Sequence, residues 1–293
     1  MNILVAGAGG ELGREIVAAL NRRGIVPDGL VYSEREFERV EYPLARKLCC
    51  DVTKPHQLEA ICKTVDIVIS TIGITRLQAE ITHMDVDYQG NLNLLEAAKK
   101  ENVRKFVFIS PAGTDQGYKR VPLYAAKYLF EERLRECGLS WLIFHSGGFY
   151  KDLADYGKSE AYGRSCVING GMNRFTPIAI SELAEIMVED TLKEDNKIIE
   201  VGGPDDLSWT DVCRICSEAL EKRARFVNVP AWFCRFVLLV IKPFSHKYHS
   251  MGQLLLYAST HDLLSPKRGK LRFIDYVRQY YTAVITVDGR SGD

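Results

Sequence analysis

Short apolar runs recur along the chain as far as Val201, and segments with helical periodicity lie between them. Such runs are typical of strands that are buried on both faces of a parallel sheet. The runs are residues 3–6, 30–32, 48–50, 67–70, 106–109, 141–144 and 198–201, and the clearest helical patterns are 12–23, 87–101 and 123–137. Strands that alternate with helices predict a doubly wound α/β fold, in which right-handed crossovers place helices on both faces of a parallel sheet.

The strand pattern ends near Gly202, and the remaining chain reads as mostly helical, punctuated by prolines. We therefore predict two regions. Residues 1–148, together with about 177–203, form the α/β domain, whereas about 149–176 and 204–293 form a smaller, mostly helical cap. Because open parallel sheets bind ligands outside the carboxyl ends of their strands, we expect the cap to cover those strand ends and to contact a small-molecule substrate.

Charge and hydrophobic content exclude several classes of protein. The chain balances 38 Lys and Arg residues against 38 Asp and Glu residues, and 46% of its 293 residues are hydrophobic. That apolar content is too high for a disordered chain, and zero net charge gives no broad attraction to nucleic acid or to anionic lipid, although a local attraction to either stays open. The first residues lack an export-signal pattern, so we expect a cytoplasmic protein whose eight cysteines are reduced thiols. We predict no metal site, since Cys213 and Cys216 form a C-x-x-C pair but no second pair or histidine cluster completes a ligand set.

The longest apolar run, residues 236–241, lies within the segment 230–244. Arg235 precedes it, and Lys242 and Pro243 end it. Since a membrane-spanning helix needs about 20 apolar residues, we predict no membrane span. We predict instead a helix packed within the cap, with an oligomer contact or a membrane-surface patch as alternatives.

A glycine-rich segment follows the first predicted strand directly and opens the first helix. There, Gly7 permits a tight strand-to-helix turn, Gly10 lets a pyrophosphate approach the backbone, and Gly13 lets the helix lie close to the sheet. The first amides of the helix would then bind the phosphates. The segment predicts dinucleotide binding rather than a purely structural turn, and its candidate cofactor residues are Gly7, Gly9, Gly10, Glu11, Leu12 and Gly13.

The residues after the second predicted strand bear on which nicotinamide cofactor is bound. A basic residue at this point accepts the extra phosphate of NADP, whereas an acidic residue holds the ribose of NAD. Ser33 and Arg35 could take a phosphate, and Glu34 could take a ribose hydroxyl. We favour NADP, with NAD as the alternative; a solvated charged loop of Glu34, Arg35 and Glu36 also stays open.

The spacing Gly7-x-x-Gly10-x-x-Gly13, followed by a series of weaker segments in the expected order, resembles the extended and atypical short-chain dehydrogenase/reductases, especially their NmrA-like branch. The segments are Asp51-Val52, Ser70-Thr71-Ile72-Gly73, and residues 86–98, 105–110, 146–150, 176–178, 182–184 and 200–204. The resemblance spans nearly the whole chain and implies a Rossmann-type fold that binds NAD(P). It also implies that Asp51 and Val52 lie by the adenine, and that Thr71, Ile72 and Gly73 line the cofactor.

The chain departs from the family's catalytic pattern. Typical members carry a Tyr four residues before a Lys on one helix, and a Ser after the fifth strand; the lysine lowers the pKa of the tyrosine and holds the cofactor ribose. Lys127 stands at the lysine position, but Leu123 replaces the tyrosine, and Pro111 replaces the serine directly after Ser110. Tyr124 is three residues before Lys127 and could reach the same cleft. The candidate catalytic residues are thus Lys127 and Tyr124, with Ser110 and Lys127 as cofactor contacts.

These residues are compatible with two different functions. The first is an NAD(P)H-dependent reductase that transfers hydride to a small carbonyl or activated double bond; Phe149 and Tyr150 are candidates to contact that substrate, with packing under the cap as the alternative. The second is a non-catalytic NAD(P)-binding regulator or assembly factor that acts through a partner protein. The missing tyrosine favours the second function and makes sugar epimerisation a weaker third. An oligomer is possible in each case.

Overall fold

A computed structural model describes residues 1–74, 81–158 and 165–288 of the chain. Its main sheet has seven strands: β1 Ile3–Ala6, β2 Asp28–Val31, β3 Lys47–Cys49, β4 Ile67–Ser70, β5 Lys105–Pro111, β6 Ser140–Ser146 and, after two short strands given below, β9 Lys197–Val201. The order is β3-β2-β1-β4-β5-β6-β9, and the pairs along β3-β2-β1-β4-β5 are parallel. The predicted doubly wound sheet is confirmed. Its order reverses between β1 and β4, and ligands of open sheets bind at such a point.

Between these strands along the chain lie helices α1 Glu11–Arg22, α2 Asn91–Lys100, α3 Thr114–Gly117, α4 Pro122–Arg135 and α6 Ile180–Lys193. In α1, residues Leu12, Ile16 and Leu20 recur every four positions and are buried, so one apolar stripe of the helix packs inward. A π-helical turn, Met84–Gly90, runs into α2. Such turns are rare in proteins as a whole, but those that occur are often found at functional sites.

The core is built from strands that are buried on both faces. All four residues of β1 are buried, as the continuous apolar run predicts. Phe106 and Phe108 of β5 pack against Phe130 of α4, with ring centroids 5.8 and 4.6 Å apart. Because this aromatic cluster fixes α4 on β5, it also fixes the position of Lys127, three residues before Phe130.

The chain divides into two compact units. The first unit contains Met1–His145 and Leu183–Ile199, and the second contains Ser146–Glu182 and Glu200–Asp293. The sequence analysis places the divisions at 148/149, 176/177 and 203/204. Residues 159–164 and 289–293 of the predicted cap lie outside the described residues.

The second unit is mostly helical, as predicted. Its helices are α5 Tyr150–Gly157, α7 Trp209–Ala219, α8 Ala231–Ile241, α9 His246–Thr260 and α10 Phe273–Asp288, and its short strands are β7 Ser165–Ile168, β8 Arg174–Phe175, β10 Leu207–Ser208 and β11 Phe226–Val229. β11 pairs with β7 in parallel, and β10 pairs with β8 antiparallel. None of these four strands is predicted from the sequence, because β8 and β10 have two residues each and β11 is mostly exposed.

The apolar segment 230–244 forms α8, but the structure buries none of the residues of this helix. One side of the helix packs on α9, where Leu238 meets Gly252, as the prediction expects, but its other apolar side is turned outward, which the prediction does not expect. Over residues 1–74, 81–158 and 165–288, no helix is long and apolar enough to cross a membrane.

Candidate functional site: the carboxyl ends of β1, β4 and β5

The turn after β1 requires its glycines. Gly7 has a φ of +85°, in the left-handed region that favours glycine. The amides of Gly7 and Ala8 both donate to the Leu30 carbonyl of β2, at 2.9 and 3.0 Å. A Cβ on Gly13 would collide with the carbonyl oxygen of Gly7, so glycine alone lets α1 approach the turn this closely. Gly10 is exposed in front of the helix.

The first turn of α1 has the form of an anion site. The helix begins at Glu11, and within the described structure no side chain caps its N-terminus. Leu12 is buried and holds the turn against the core. Uncapped amides at the positive end of a helix dipole attract phosphate groups. These residues therefore fit the pyrophosphate of the dinucleotide that the sequence predicts.

Thr71 connects the ends of β1 and β4. Its hydroxyl donates to the Ala6 carbonyl at 3.0 Å, and a Cβ on Gly7 would lie 2.6 Å from the same oxygen. The next residue, Ile72, is buried, and its amide donates to the Ser70 hydroxyl at 3.3 Å. Thr71 and Ile72 thus lie at the point where the strand order reverses.

Asn91 ties this strand end to the helix that follows. Its side chain is fully buried and accepts a hydrogen bond from the Ser70 hydroxyl at 2.6 Å. Its amide group donates to the Asp87 carbonyl at 3.0 Å and to the Ile72 carbonyl at 3.4 Å. The sequence analysis assigned no role to Asn91, because only the fold brings these partners together.

A carboxylate also stands beside the glycine turn. A Cβ on Gly9 would lie 2.8 Å from Oε2 of Glu36. The Glu36 amide donates to the Ser33 carbonyl at 2.9 Å, in the 3-10 turn after β2. Arg35 is exposed on that turn, and Ser33 is half-buried. The sequence analysis treated Glu36 only as part of a charged loop, whereas the structure places it next to Gly9.

Asp51 and Val52 lie beyond β3. The Asp51 carboxylate accepts hydrogen bonds from the amide and hydroxyl of Thr53, at 3.0 and 2.7 Å. Burial acts in the opposite direction, but these hydrogen bonds and Lys54 hold the pKa of Asp51 below its ordinary value. Val52 packs on the π-helical turn, where a Cβ on Gly90 would lie 2.8 Å from its Cγ2.

Three ionisable side chains meet next to Gly73. Asp87 of the π-helical turn is fully buried. Its Oδ2 lies 2.9 Å from Nδ1 of His83, and its Oδ1 lies 3.4 Å from Nζ of Lys127. Lys127 also donates to the Ile109 carbonyl at 3.1 Å. A Cβ on Gly73 would lie 2.7 Å from Oδ1 of Asp87 and 3.5 Å from Nζ of Lys127.

We call His83, Asp87 and Lys127 the buried ionic cluster. Buried charges are costly unless they are paired, so such a cluster beside strand ends is a marker of function. Oδ1 of Asp87 accepts no hydrogen bond in the part of the chain that the structure describes. The sequence analysis found Lys127 but missed the other two residues; their spacing of four on a helix was the available signal.

Ser110 and Tyr124 are both buried. Ser110 follows Ile109, whose carbonyl binds Lys127, and Tyr124 stands three residues before Lys127. The Ser110 hydroxyl lies 3.2 Å from the hydroxyl of Thr114, which donates to the Pro111 carbonyl at 2.6 Å. Tyr124 is 3% exposed and shares α4 with Lys127. Their roles in catalysis and cofactor binding stay predictions.

Phe149 and Tyr150 belong to the second unit. Phe149 forms a bridge with Ile178 and is half-buried. The Tyr150 hydroxyl donates to the Leu271 carbonyl at 2.9 Å, and its ring meets that of Phe273 edge-on with centroids 5.1 Å apart. Burial raises the pKa of Tyr150. These contacts are typical of a residue that packs in the interior. Contact with a substrate therefore stays a prediction for both residues, and the half-buried Phe149 fits it better than the buried Tyr150.

A polar depression of about 430 Å³ also lies in the second unit. Its carboxylates already have counter-ions, so it gives no argument for a ligand. The ion pairs are Asp205–Arg272 at 3.2 Å, Asp206–Lys267 at 2.7 Å and Asp211–Arg214 at 3.3 Å.

Comparison with known proteins supports the binding of a nicotinamide cofactor. Residues 7–189 match the NAD(P)H-binding family. The photosystem II assembly factor Ycf39 of Synechocystis sp. is 28% identical over 259 residues, which cover 87% of this chain and 78% of that protein. The chloroplastic divinyl chlorophyllide a 8-vinyl-reductase of Arabidopsis thaliana is 24% identical over 276 residues, covering 86% and 66% respectively.

A solved structure shares the fold. The nucleoside-diphosphate-sugar epimerase of Staphylococcus aureus superposes with a TM-score of 0.76, covering 95% of this chain and 100% of that chain at 16% identity. At this identity the likeness supports the architecture and leaves the reaction open.

Proposed function

This chain belongs to the NAD(P)H-binding family, with the motifs of an atypical short-chain dehydrogenase/reductase, and on that premise we propose that it is an NAD(P)H-dependent reductase. Its substrate is a small carbonyl compound or an activated double bond. Reduced nicotinamide supplies the hydride when it is bound. The observation that carries the proposal is the buried ionic cluster of His83, Asp87 and Lys127 beside Gly73.

Lys127 supplies the proton or the hydrogen bond that the accepting atom of the substrate needs. Its ammonium group is held by Asp87 and by the Ile109 carbonyl, and it lies over the ring of Phe108, 4.6 Å from the centroid. A group fixed in this way needs little reorganisation when charge develops near it. Asp87 contacts both Lys127 and His83, so the cluster can pass a proton towards Lys127 after turnover. Because Leu123 cannot donate a proton, Lys127 is the donor and Tyr124 is a second one.

We propose that the cofactor is NADP, bound through Ser33 and Arg35. Arg35 is exposed on the turn after β2, and a basic residue after this strand can accept the extra phosphate of NADP. Glu36 opposes this preference, because its carboxylate beside Gly9 repels a phosphate. The preference for NADPH over NADH is therefore expected to be modest.

The cofactor proposal is tested by titrating the fluorescence of NADPH and of NADH with the protein. Arg35→Ala should weaken NADPH binding about tenfold and leave NADH binding nearly unchanged, whereas Glu36→Gln should strengthen NADPH binding. Gly10→Asp should abolish binding of both, through charge and bulk at the pyrophosphate. Tighter binding of NADH than NADPH by the unchanged protein would contradict the preference, and binding of neither would refute the reductase.

The catalytic proposal is tested with a panel of ketones, enones and quinones in the presence of NADPH. Lys127→Ala should reduce kcat/KM by a factor of about 10² to 10⁴, the usual contribution of a positioned acid. Lys99→Ala, on the exposed side of α2, is the matched control and should retain the activity of the unchanged protein. Activity that survives Lys127→Ala would refute the assigned role.

A second candidate function is a cofactor-binding assembly factor. It is favoured by Leu123 at the tyrosine position, by the contacts that already occupy Lys127 and Ser110, and by the similarity to an assembly factor. In this case the nucleotide stabilises a binding-competent form of the chain, and the output is a contact with a partner protein. Tight NADPH binding without turnover of any compound in the panel would support this function against the reductase.

A further inference from the structure

Helix α8 presents an apolar face outward. The most exposed of its apolar side chains are Trp232 and Leu239, each 68% exposed, followed by Phe236 at 57%. Trp232, Phe236 and Leu239 stand at positions i, i+4 and i+7, so they form one stripe along the helix. Phe233 and Val240 are also exposed and widen it. We call these five residues the apolar stripe.

The opposite side of α8 is the one that packs. Leu238 meets α9 at Gly252, where a Cβ would collide with Cδ2 of the leucine. Cys234, Val237 and Ile241 are half-buried on the same side. The stripe is thus distinct from the packing face of α8, because the helix already packs on α9 through its other side. A contiguous exposed apolar surface of this kind marks an interaction site.

The sequence that flanks the stripe carries charge of one sign. Arg235 and Lys242 are exposed, and their spacing of seven places both along one edge of the stripe. From Lys222 to His261 the sequence contains six Lys and Arg residues and no Asp or Glu, although the whole chain has equal numbers of each. Burial, Lys242 and His246 together hold the pKa of His249 below its ordinary value, as expected in a cationic neighbourhood.

We propose that α8 docks on the surface of an anionic lipid bilayer, with its apolar stripe in the acyl region and Arg235 and Lys242 at the lipid phosphates. The helix has 11 residues and is too short to span, so it would lie in the plane of the surface. Trp232 and Tyr248, both exposed, suit the boundary between headgroups and acyl chains.

The charge pattern favours a bilayer over a second copy of this chain. If two copies paired through the stripe with their helices antiparallel, the edge with Arg235 and Lys242 would meet the same edge of the other copy, and the like charges would repel. An anionic bilayer satisfies both requirements at once, since it accepts apolar side chains and attracts cations. The proposal does not depend on whether the chain is a reductase.

The test is flotation of the full chain with vesicles of phosphatidylcholine, with and without phosphatidylglycerol. The chain should float with the anionic vesicles, and added salt should release it. Phe236→Ser with Leu239→Ser should weaken binding to them at least tenfold. Arg235→Gln with Lys242→Gln should weaken it about 30-fold, at roughly fivefold for each charge.

Trp232→Phe is the matched control. It keeps the apolar stripe and should still float, but it should lose the blue shift of tryptophan emission that the unchanged chain shows on anionic vesicles. Far-UV circular dichroism and the melting temperature check that each variant folds, as expected for exposed positions. No flotation of the folded, unchanged chain with anionic vesicles overturns the proposal. It is also overturned if the serine variants float as well as the unchanged chain, or if they instead convert a dimer to a monomer.

Discussion

At the scale of single residues, Gly13 shows how closely the turn and the helix approach each other. A Cβ at this position would collide with the carbonyl oxygen of Gly7, and backbone cannot move aside as a flexible side chain can. We therefore expect Gly13→Ala to lower the free energy of unfolding by about 2 kcal/mol or more. Urea denaturation measures this change. Gly148→Ala is the control and should have a small effect, because nothing lies within 4 Å of its Cβ position.

Asp87 shows what a buried carboxylate contributes to the candidate site. Asp87→Asn keeps the shape of the side chain but removes the counter-charge of Lys127, 3.4 Å away. Leaving one member of a buried pair without its partner costs about 3 to 5 kcal/mol. The expected result is a marked loss of stability in urea denaturation, together with weaker NADPH binding. Asp85 is exposed on the same turn and bonds to Thr82, so Asp85→Asn should cost less than about 1 kcal/mol. Equal losses for both variants would contradict the special role of Asp87.

At the scale of elements, Asp155 joins two helices of the second unit. Its carboxylate on α5 pairs with Lys151 and Lys158, at 2.8 and 2.7 Å, and accepts a hydrogen bond from Tyr280 of α10 at 2.7 Å. Burial acts in the opposite direction, but these partners lower the pKa of Asp155 to about 2. Since the folded pKa lies below the ordinary value of 3.8, the carboxylate stabilises the fold above about pH 4, and this contribution is lost as pH falls towards 2.

Asp155→Asn should therefore be less stable than the unchanged chain at pH 6, and the gap should close as pH falls to about 2. Urea denaturation at a series of pH values measures the gap. Glu189→Gln, at an exposed pair with Lys193, is the control and should show a smaller gap. A gap that stays constant with pH would contradict the depressed pKa of Asp155.

The elements differ in how far sequence could predict them. β4 was predicted with its observed bounds, and α1 within one residue, because a continuous apolar run and a regular stripe each report local burial. The π-helical turn before α2 was not predicted, since the pattern of residues 87–101 indicates only an ordinary helix. Contacts such as Glu36 with Gly9, or Asp87 with Lys127, depend on how separate segments meet. Apolar composition also predicted burial for α8, but only the side that faces α9 is half-buried, because composition does not reveal which side of an apolar helix has a partner.

At the scale of the whole molecule, the first unit is made from two separate stretches of chain, and Lys105 joins them. Lys105 is 2% exposed in β5. Its ammonium donates to the carbonyls of Thr191 and Glu194, at 2.8 and 2.7 Å, and lies 2.8 Å from the Asp195 carboxylate. These three acceptors come from the end of α6 and the segment after it. We call the second stretch of this unit, Leu183–Ile199, the returning stretch. It is joined to the rest of the unit by the buried ammonium of Lys105 as well as by β9.

Lys105→Met should lower the free energy of unfolding by about 2 to 4 kcal/mol, because methionine fills the space but leaves two carbonyls without their donor and the Asp195 carboxylate without its counter-ion. The loss should appear in urea denaturation of the full chain followed through thiol exposure. Cys62, fully buried in the first unit with a pKa raised to about 12 mainly by burial, should react with a thiol reagent at lower urea in the variant. Lys197→Met, at an exposed pair with Glu194, is the matched control and should change stability by less than about 0.5 kcal/mol. If Lys105→Met leaves the exposure of Cys62 unchanged, the returning stretch is held by β9 and apolar packing alone.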